Sequence, residues 1–212
     1  SYPQAYISKQ QQGFQFFNIA NSSPSLEVTV DNGGKYLNGF TNENIIFFSK
    51  ANGGIEAVNL QNPNEFNRYN TNGYCSDLLI KDSTIYLSDG IAGLKVLDIS
   101  SYAVSDMNLD SKQIASLDEF SSGIKYMTNI NNILFLSLSN GQISSVDISN
   151  PSDPVILNNF SLGLININNI QSFDDKLYVI SQNKLSIFKY SENDLILLSE
   201  LDSYSDGTSF GV

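Results

Sequence analysis

Ile85-Tyr-Leu-Ser-Asp-Gly-Ile-Ala-Gly-Leu-Lys-Val-Leu-Asp-Ile-Ser100 is the stretch from which the rest of the chain can be read. Ile85 to Ser88 and Leu94 to Ile99 are runs of β-branched, aromatic and aliphatic residues. Asp89-Gly90 and Gly93 separate them, so the stretch predicts two β-strands joined by a glycine-containing turn.

Imperfect copies recur along the chain. Tyr6-Ile7-Ser8 with Gly13-Phe14 and Ile19 stands in register with the reference, as does Phe47-Phe48-Ser49 with Gly54-Ile55 and Leu60. Phe135-Leu136-Ser137 with Ile143 and Val146-Asp147-Ile148-Ser149 forms the fourth copy, and Tyr178-Val179 with Leu185 to Tyr190 the fifth. The copies end at Ile19, Leu60, Ile99, Ile148 and Tyr190. These ends lie roughly 40 residues apart without helical periodicity, which is the pattern of four-stranded propeller blades. The longest step carries a polar insertion over Tyr102 to Ser111, including Asp106 and Asp110.

Turns rich in Asn and Pro follow the repeat ends, at Asn21-Ser-Ser-Pro24, Asn62-Pro63 and Asn150-Pro151-Ser-Asp-Pro154. Outer strands are expected next, at Leu26 to Val30, Glu65 to Tyr69, Ile114 to Phe120, Val155 to Phe160 and Leu195 to Leu201. Inner strands are expected at Tyr36 to Thr41, Cys75 to Ile80, Ile124 to Asn129 and Leu164 to Ile170. The first repeat has no inner strand of its own ahead of it. Thr208-Ser-Phe-Gly-Val212 is expected to fill that place and close the ring. The expected architecture is therefore all-β: a five-bladed β-propeller of four-stranded antiparallel blades, one domain over residues 1–212, closed by the C-terminal strand completing the N-terminal blade.

Tyr86 to Ser100 resembles the LVIVD repeat of bacterial and archaeal β-propeller proteins, and so does Ser145-Val-Asp-Ile-Ser-Asn-Pro-Ser-Asp-Pro-Val-Ile-Leu157. The other three copies depart from the pattern: Leu60 and Tyr190 replace the Ile, and Asn18, Asn59 and Lys189 replace the Asp. The resemblance implies a propeller, commonly in secreted or cell-surface proteins, and carries no catalytic residues. It assigns Asp98 and Asp147 to blade turns.

Composition narrows the functional classes. Eleven basic residues stand against 22 acidic ones, a net charge of −11, which disfavours nucleic acid and anionic membranes as partners. No run approaches the ~18 apolar residues that a membrane helix needs. With no His and a single cysteine, Cys75, the chain lacks the usual catalytic base, the usual transition-metal ligand and any internal disulfide. Cys75 reads as a small core residue. Tyr6, Phe47, Tyr86, Phe135 and Tyr178 read as the packing aromatic of each blade. No phosphate-binding glycine loop or metal-ligand spacing is found. Asp31-Asn-Gly-Gly34 lacks the spaced acids of a calcium loop, so no metal or cofactor is expected.

Counting nine residues back from the blade aromatics reaches Asn38, Asp77, Tyr126 and Asn169; the C-terminal strand adds Thr208 or Ser209. These equivalent positions should converge at the channel mouth. The candidate ligand site is therefore Asn38, Asp77, Tyr126, Asn169 and Ser209, with the insertion at Tyr102 to Ser111 as the competing place. The overall charge favours a neutral or cationic ligand. Two functional classes stand: a non-catalytic secreted or surface module binding a protein or a carbohydrate, and a glycoside-processing enzyme using Asp77. A glycosidase needs two carboxylates, and Asp206 is the only other acid expected nearby.

Overall fold

The computed structural model describes residues 4–8, 13–19, 23, 25–103, 109–182 and 184–202. Among them are 19 β-strands, two short 3-10 turns and no α-helix, in five antiparallel sheets that follow one another along the chain. The first sheet contains β1 (Gln4–Ser8), β2 (Phe14–Asn18) and β3 (Ser25–Val30). The second contains β4 (Asn38–Asn42), β5 (Ile45–Ser49), β6 (Ile55–Asn59) and β7 (Phe66–Tyr69). The third contains β8 (Asp77–Lys81), β9 (Thr84–Ser88), β10 (Leu94–Asp98) and β11 (Gln113–Leu117). The fourth contains β12 (Ile124–Ile130), β13 (Ile133–Leu138), β14 (Ile143–Asp147) and β15 (Val155–Phe160). The fifth contains β16 (Asn169–Phe173), β17 (Lys176–Ser181), β18 (Lys184–Ser191) and β19 (Asp194–Asp202). Each sheet is a meander whose neighbours in sequence are neighbours in space, and the series fits the blades of a propeller.

Two backbone devices repeat from blade to blade. The hairpins joining the first two strands of blades two to five have two-residue turns, opened by Glu43, Asp82, Asn131 and Asp174 with φ of 52°, 48°, 53° and 53°. Asp and Asn fill three of these four places because their short polar side chains tolerate the left-handed region. Gly13, Gly54 and Gly93 share a second place, ahead of β2, β6 and β10, at φ of 81°, 68° and 86°. A Cβ there would lie within 1.8, 1.9 and 2.2 Å of the carbonyl oxygens of Val30, Tyr69 and Leu117, so only glycine lets the outer strand close on the turn.

The core lies between blades. Phe14, Phe16 and Val30 of blade one pack with Tyr36, Ile46, Phe48 and Val58 of blade two. Phe47, Ile55 and Ala57 of blade two meet Leu78, Ile85, Leu87 and Leu97 of blade three. Tyr86, Leu94 and Val96 then meet Met127, Leu134 and Leu136, and Phe135 and Ile143 meet Ile170, Leu177 and Val179. Alternation along each strand thus feeds two different interfaces, which is why both faces read as apolar. Phe47, Tyr86 and Phe135 are fully buried on the face turned to the following blade, as the repeat predicts. Tyr178 is only half-buried, and the Tyr6 side chain lies outside those described. Cys75 is buried in the second interface, joined to Ala51 by a two-hydrogen-bond bridge, and burial pushes its thiol well up.

The fifth inner strand departs from expectation. It begins at Asn169 rather than Leu164. Leu164, Ile167 and Ile170 recur every third residue, and all three are buried against blade four, with Asn166 at a φ of 51° between them. A loop wrapped on a neighbour supplies that spacing; a strand alternates in twos. The expected ring closure at Thr208–Val212 lies outside the described residues, as do Asp106 of the insertion and Asp206.

Candidate functional site

β4, β8, β12 and β16 are the innermost described strands, and β8 packs between β4 and β12 while β12 packs against β16. Their pairing places Asn38 opposite Ser49, Asp77 opposite Ser88, Tyr126 opposite Ser137 and Asn169 opposite Ile180. The four residues are equivalent in register, and all four line one cavity of about 960 Å³. Ser209, the fifth expected member, lies outside the described residues. The insertion is described only in part, with Asp110 opening a 3-10 turn, Asp110–Lys112.

The serines facing these positions went unrecognised in the sequence. Ser49, Ser88 and Ser137 are buried, and each hydroxyl accepts a hydrogen bond from the inner-strand amide opposite: Asn38 N at 3.0 Å, Asp77 N at 2.9 Å and Tyr126 N at 3.1 Å. They clamp the start of the inner strand in three blades. The readable signal was a serine following the aromatic by two in four copies; in the fifth, Ile180 takes the place and the clamp is lost.

Asp77 has 6% of its surface exposed and is already heavily bonded. Its Oδ1 accepts from Asn38 Nδ2 at 2.6 Å and from the Leu78 amide at 2.9 Å; its Oδ2 accepts from the Met127 amide at 2.8 Å. One carboxylate thereby ties the inner strands of blades two, three and four. Burial raises its pKa to about 6 against the opposing pull of those three donors. The Asn38 amide is spent in the same network, donating to Asp77 and accepting from the Gly39 amide at 2.9 Å. Tyr126 and Asn169 are half-buried; among the described residues the phenol and the amide have no hydrogen-bond partner, which leaves both for a ligand. Burial, then the Asp77 charge, raises the Tyr126 pKa.

Around them the cavity presents the rings of Phe40 and Tyr74, exposed by 37% and 42%, together with Gln171 and two lysines, Lys35 and Lys125. Lys125 Nζ donates to the Ile167 carbonyl at 2.9 Å and stands 5.4 Å from the centre of the Tyr126 ring. Among the described residues Asp77 is the only carboxylate in the lining. Among the described residues the lining carries two lysines against one shielded acid, a local balance that the net charge of the whole chain does not reveal.

The aspartates that end β10 and β14 bond locally. Asp98 and Asp147 accept from the Ser100 and Ser149 amides two residues on, at 2.9 and 2.8 Å, and these bonds hold their carboxyls below the usual range. Asp31 likewise accepts from the Gly33 amide at 3.1 Å.

No family model matches the sequence, and no curated protein matches it. Solved structures do. The chain is similar to the computationally designed Ika8 protein, with a TM-score of 0.64 at 15% identity over 82% of this chain and 51% of that one. It is also similar to the computationally designed Ika4 protein, with a TM-score of 0.60 at 15% identity, covering 74% and 92% of the two chains. A functionally unknown protein from Desulfotomaculum acetoxidans DSM 771 superposes with a TM-score of 0.73 at 12% identity, covering 94% and 66%. The chain thus spans about half the length of Ika8 and about two thirds of the Desulfotomaculum protein. At these identities the likeness concerns the fold alone.

Proposed function

We propose that this chain is a five-bladed β-propeller of the LVIVD-repeat kind, acting as a non-catalytic binding module of a secreted or cell-surface protein, with a carbohydrate as ligand. One observation carries the ligand class: the channel-mouth cavity combines the exposed rings of Phe40 and Tyr74 and the half-buried ring of Tyr126 with unspent amides (Asn169, Gln171). Rings that stack on sugar faces and amides that bond hydroxyls are the chemistry of carbohydrate binding. Its volume of about 960 Å³ lies within the range of small-ligand sites. The export setting is supported by the repeat resemblance. The five sheets, the three-stranded first blade and the uncovered apolar side of the fifth support a ring closed by Thr208–Val212 on β1. The glycoside-processing alternative is weakened by Asp77, whose two oxygens are engaged by three chain donors.

A carbohydrate array run beside a chromogenic-glycoside screen tests this reading. Binding without turnover, abolished by Tyr126→Ala together with Asn169→Ala, is expected. Turnover lost in Asp77→Asn would replace the module with the enzyme.

A further inference from the structure

A second cavity, of about 350 Å³, opens between the loop preceding β4 and the turn joining β5 to β6. Its lining includes Lys35, Lys50 and Arg68 and the side-chain amides of Asn32, Asn52 and Asn70, and among the described residues contains no carboxylate. Three of the chain's 11 basic residues therefore face one small space in a protein of net charge −11.

The cationic groups are held, not loosely gathered. Lys50 has 4% of its side chain exposed and donates to Glu56 Oε2 at 2.7 Å and to the Tyr36 hydroxyl at 3.1 Å. Arg68 Nε donates to the same Glu56 oxygen at 2.9 Å, and its Nη2 donates to the Asn32 carbonyl. Glu56, fully buried behind the cavity, also accepts from Tyr36 OH at 2.6 Å and Asn32 Nδ2 at 2.9 Å. Burial would raise its pKa, but these four donors outweigh burial and hold it low, so the glutamate is a fixed anion. Asp31, the other acid near Lys50, turns its Oδ1 onto the Gly33 amide. Glu56 answers Lys50 and Arg68 from behind and Asp31 turns an oxygen onto Gly33, so two acids stand against three cations and the space in front of them keeps a positive excess. Gly33, Gly34 and Gly53 wall the cavity without side chains, and Gly34 lies close enough that a Cβ would sit 3.3 Å from Lys50 Cε.

We infer that this cleft binds a small oxyanion, a carboxylate or phosphate group, between Lys35, Lys50 and the outer edge of the Arg68 guanidinium. The site is independent of the channel reading, although Lys35 borders both cavities.

Amide chemical-shift titrations of the full chain with inorganic phosphate and with acetate, at constant pH and ionic strength, test it. Saturable shifts at Gly33, Gly34, Asn52 and Gly53 are expected, and the tighter anion names the source. Lys35→Gln removes an exposed cation with no internal bond in the network and should weaken binding about three- to tenfold without altering Tm. Arg68→Gln should weaken it further. Absence of saturation for both anions, or affinity unchanged in Lys35→Gln and Arg68→Gln alike, would overturn the inference whatever the channel binds.

Discussion

Phe135 and Tyr178 occupy the same place in consecutive blades and meet opposite fates. Phe135 is fully buried, its ring 4.9 Å from that of Tyr190 and nearly perpendicular to it, inside a cluster contributed by the blade that follows. Tyr178 borders a small hollow of about 240 Å³ with Ile180, Leu185 and Phe173, the last 68% exposed. Ile196 and Leu198, on β19 of the same blade, are half-exposed. The blades themselves are alike. The difference shows that a blade does not bury its own aromatic; the next blade does, so stability is a sum of interfaces between neighbours.

The largest expected effect tests that sum. Phe135→Ala should cost about 3–5 kcal/mol in denaturant unfolding. If the proposed ring closes, Tyr178→Ala should cost more than ~2 kcal/mol, and in a chain lacking residues 207–212 the same substitution should fall to within ~1 kcal/mol. Equal, small costs for Tyr178→Ala in both backgrounds would leave the fifth blade uncovered and refute the closure.

A smaller effect concerns Asp77, which is bonded to blades on both sides. Its carboxyl is raised from 3.8 to about 6 in the folded protein, so the native state holds the proton more tightly than the unfolded chain. The stabilising contribution is therefore complete below 3.8 and is lost as pH climbs to about 6, amounting to on the order of 3 kcal/mol. Asp77→Asn removes this dependence. The stability difference between wild type and variant should change across that window and stay flat above it. A difference independent of pH would mean that the carboxyl is not shifted. Other acids shift too, Glu56 downward and Asp89 upward, and the subtraction cancels them.

The smallest effect is expected within one blade. Lys184 Nζ meets Glu200 Oε2 at 2.9 Å across β18 and β19, in the open. Lys184→Ala should leave Tm unchanged. A clear drop would show that bonds inside a blade matter as much as those between blades.

Much of this was legible beforehand, for a physical reason. The blade period, the strand order and the nine-residue step to the inner strand depend on local alternation, and that step placed Asn38, Asp77, Tyr126 and Asn169 at one cavity. Contacts across blades were not legible. That Asp77 would be consumed by Asn38 and Met127 depends on how three inner strands sit side by side. Glu56 passed unnoticed although Ile55, Ala57 and Val58 surround it: a carboxylate amid apolar residues in a strand buried on both faces was a readable sign of an internal partner. The polar reading of the whole surface likewise hid where its few cations gather.

The interfaces drawn only from consecutive blades have a consequence for how such chains arise. Since each apolar cluster among the described residues joins consecutive blades, and Gly13, Gly54 and Gly93 show the same turn in three of them, copying one blade's worth of coding sequence in frame adds a unit whose two sides already match its neighbours. Lineages of this architecture can therefore lengthen or shorten by whole blades, while drift inside each copy is free to place a buried glutamate in one and an orphaned isoleucine in another.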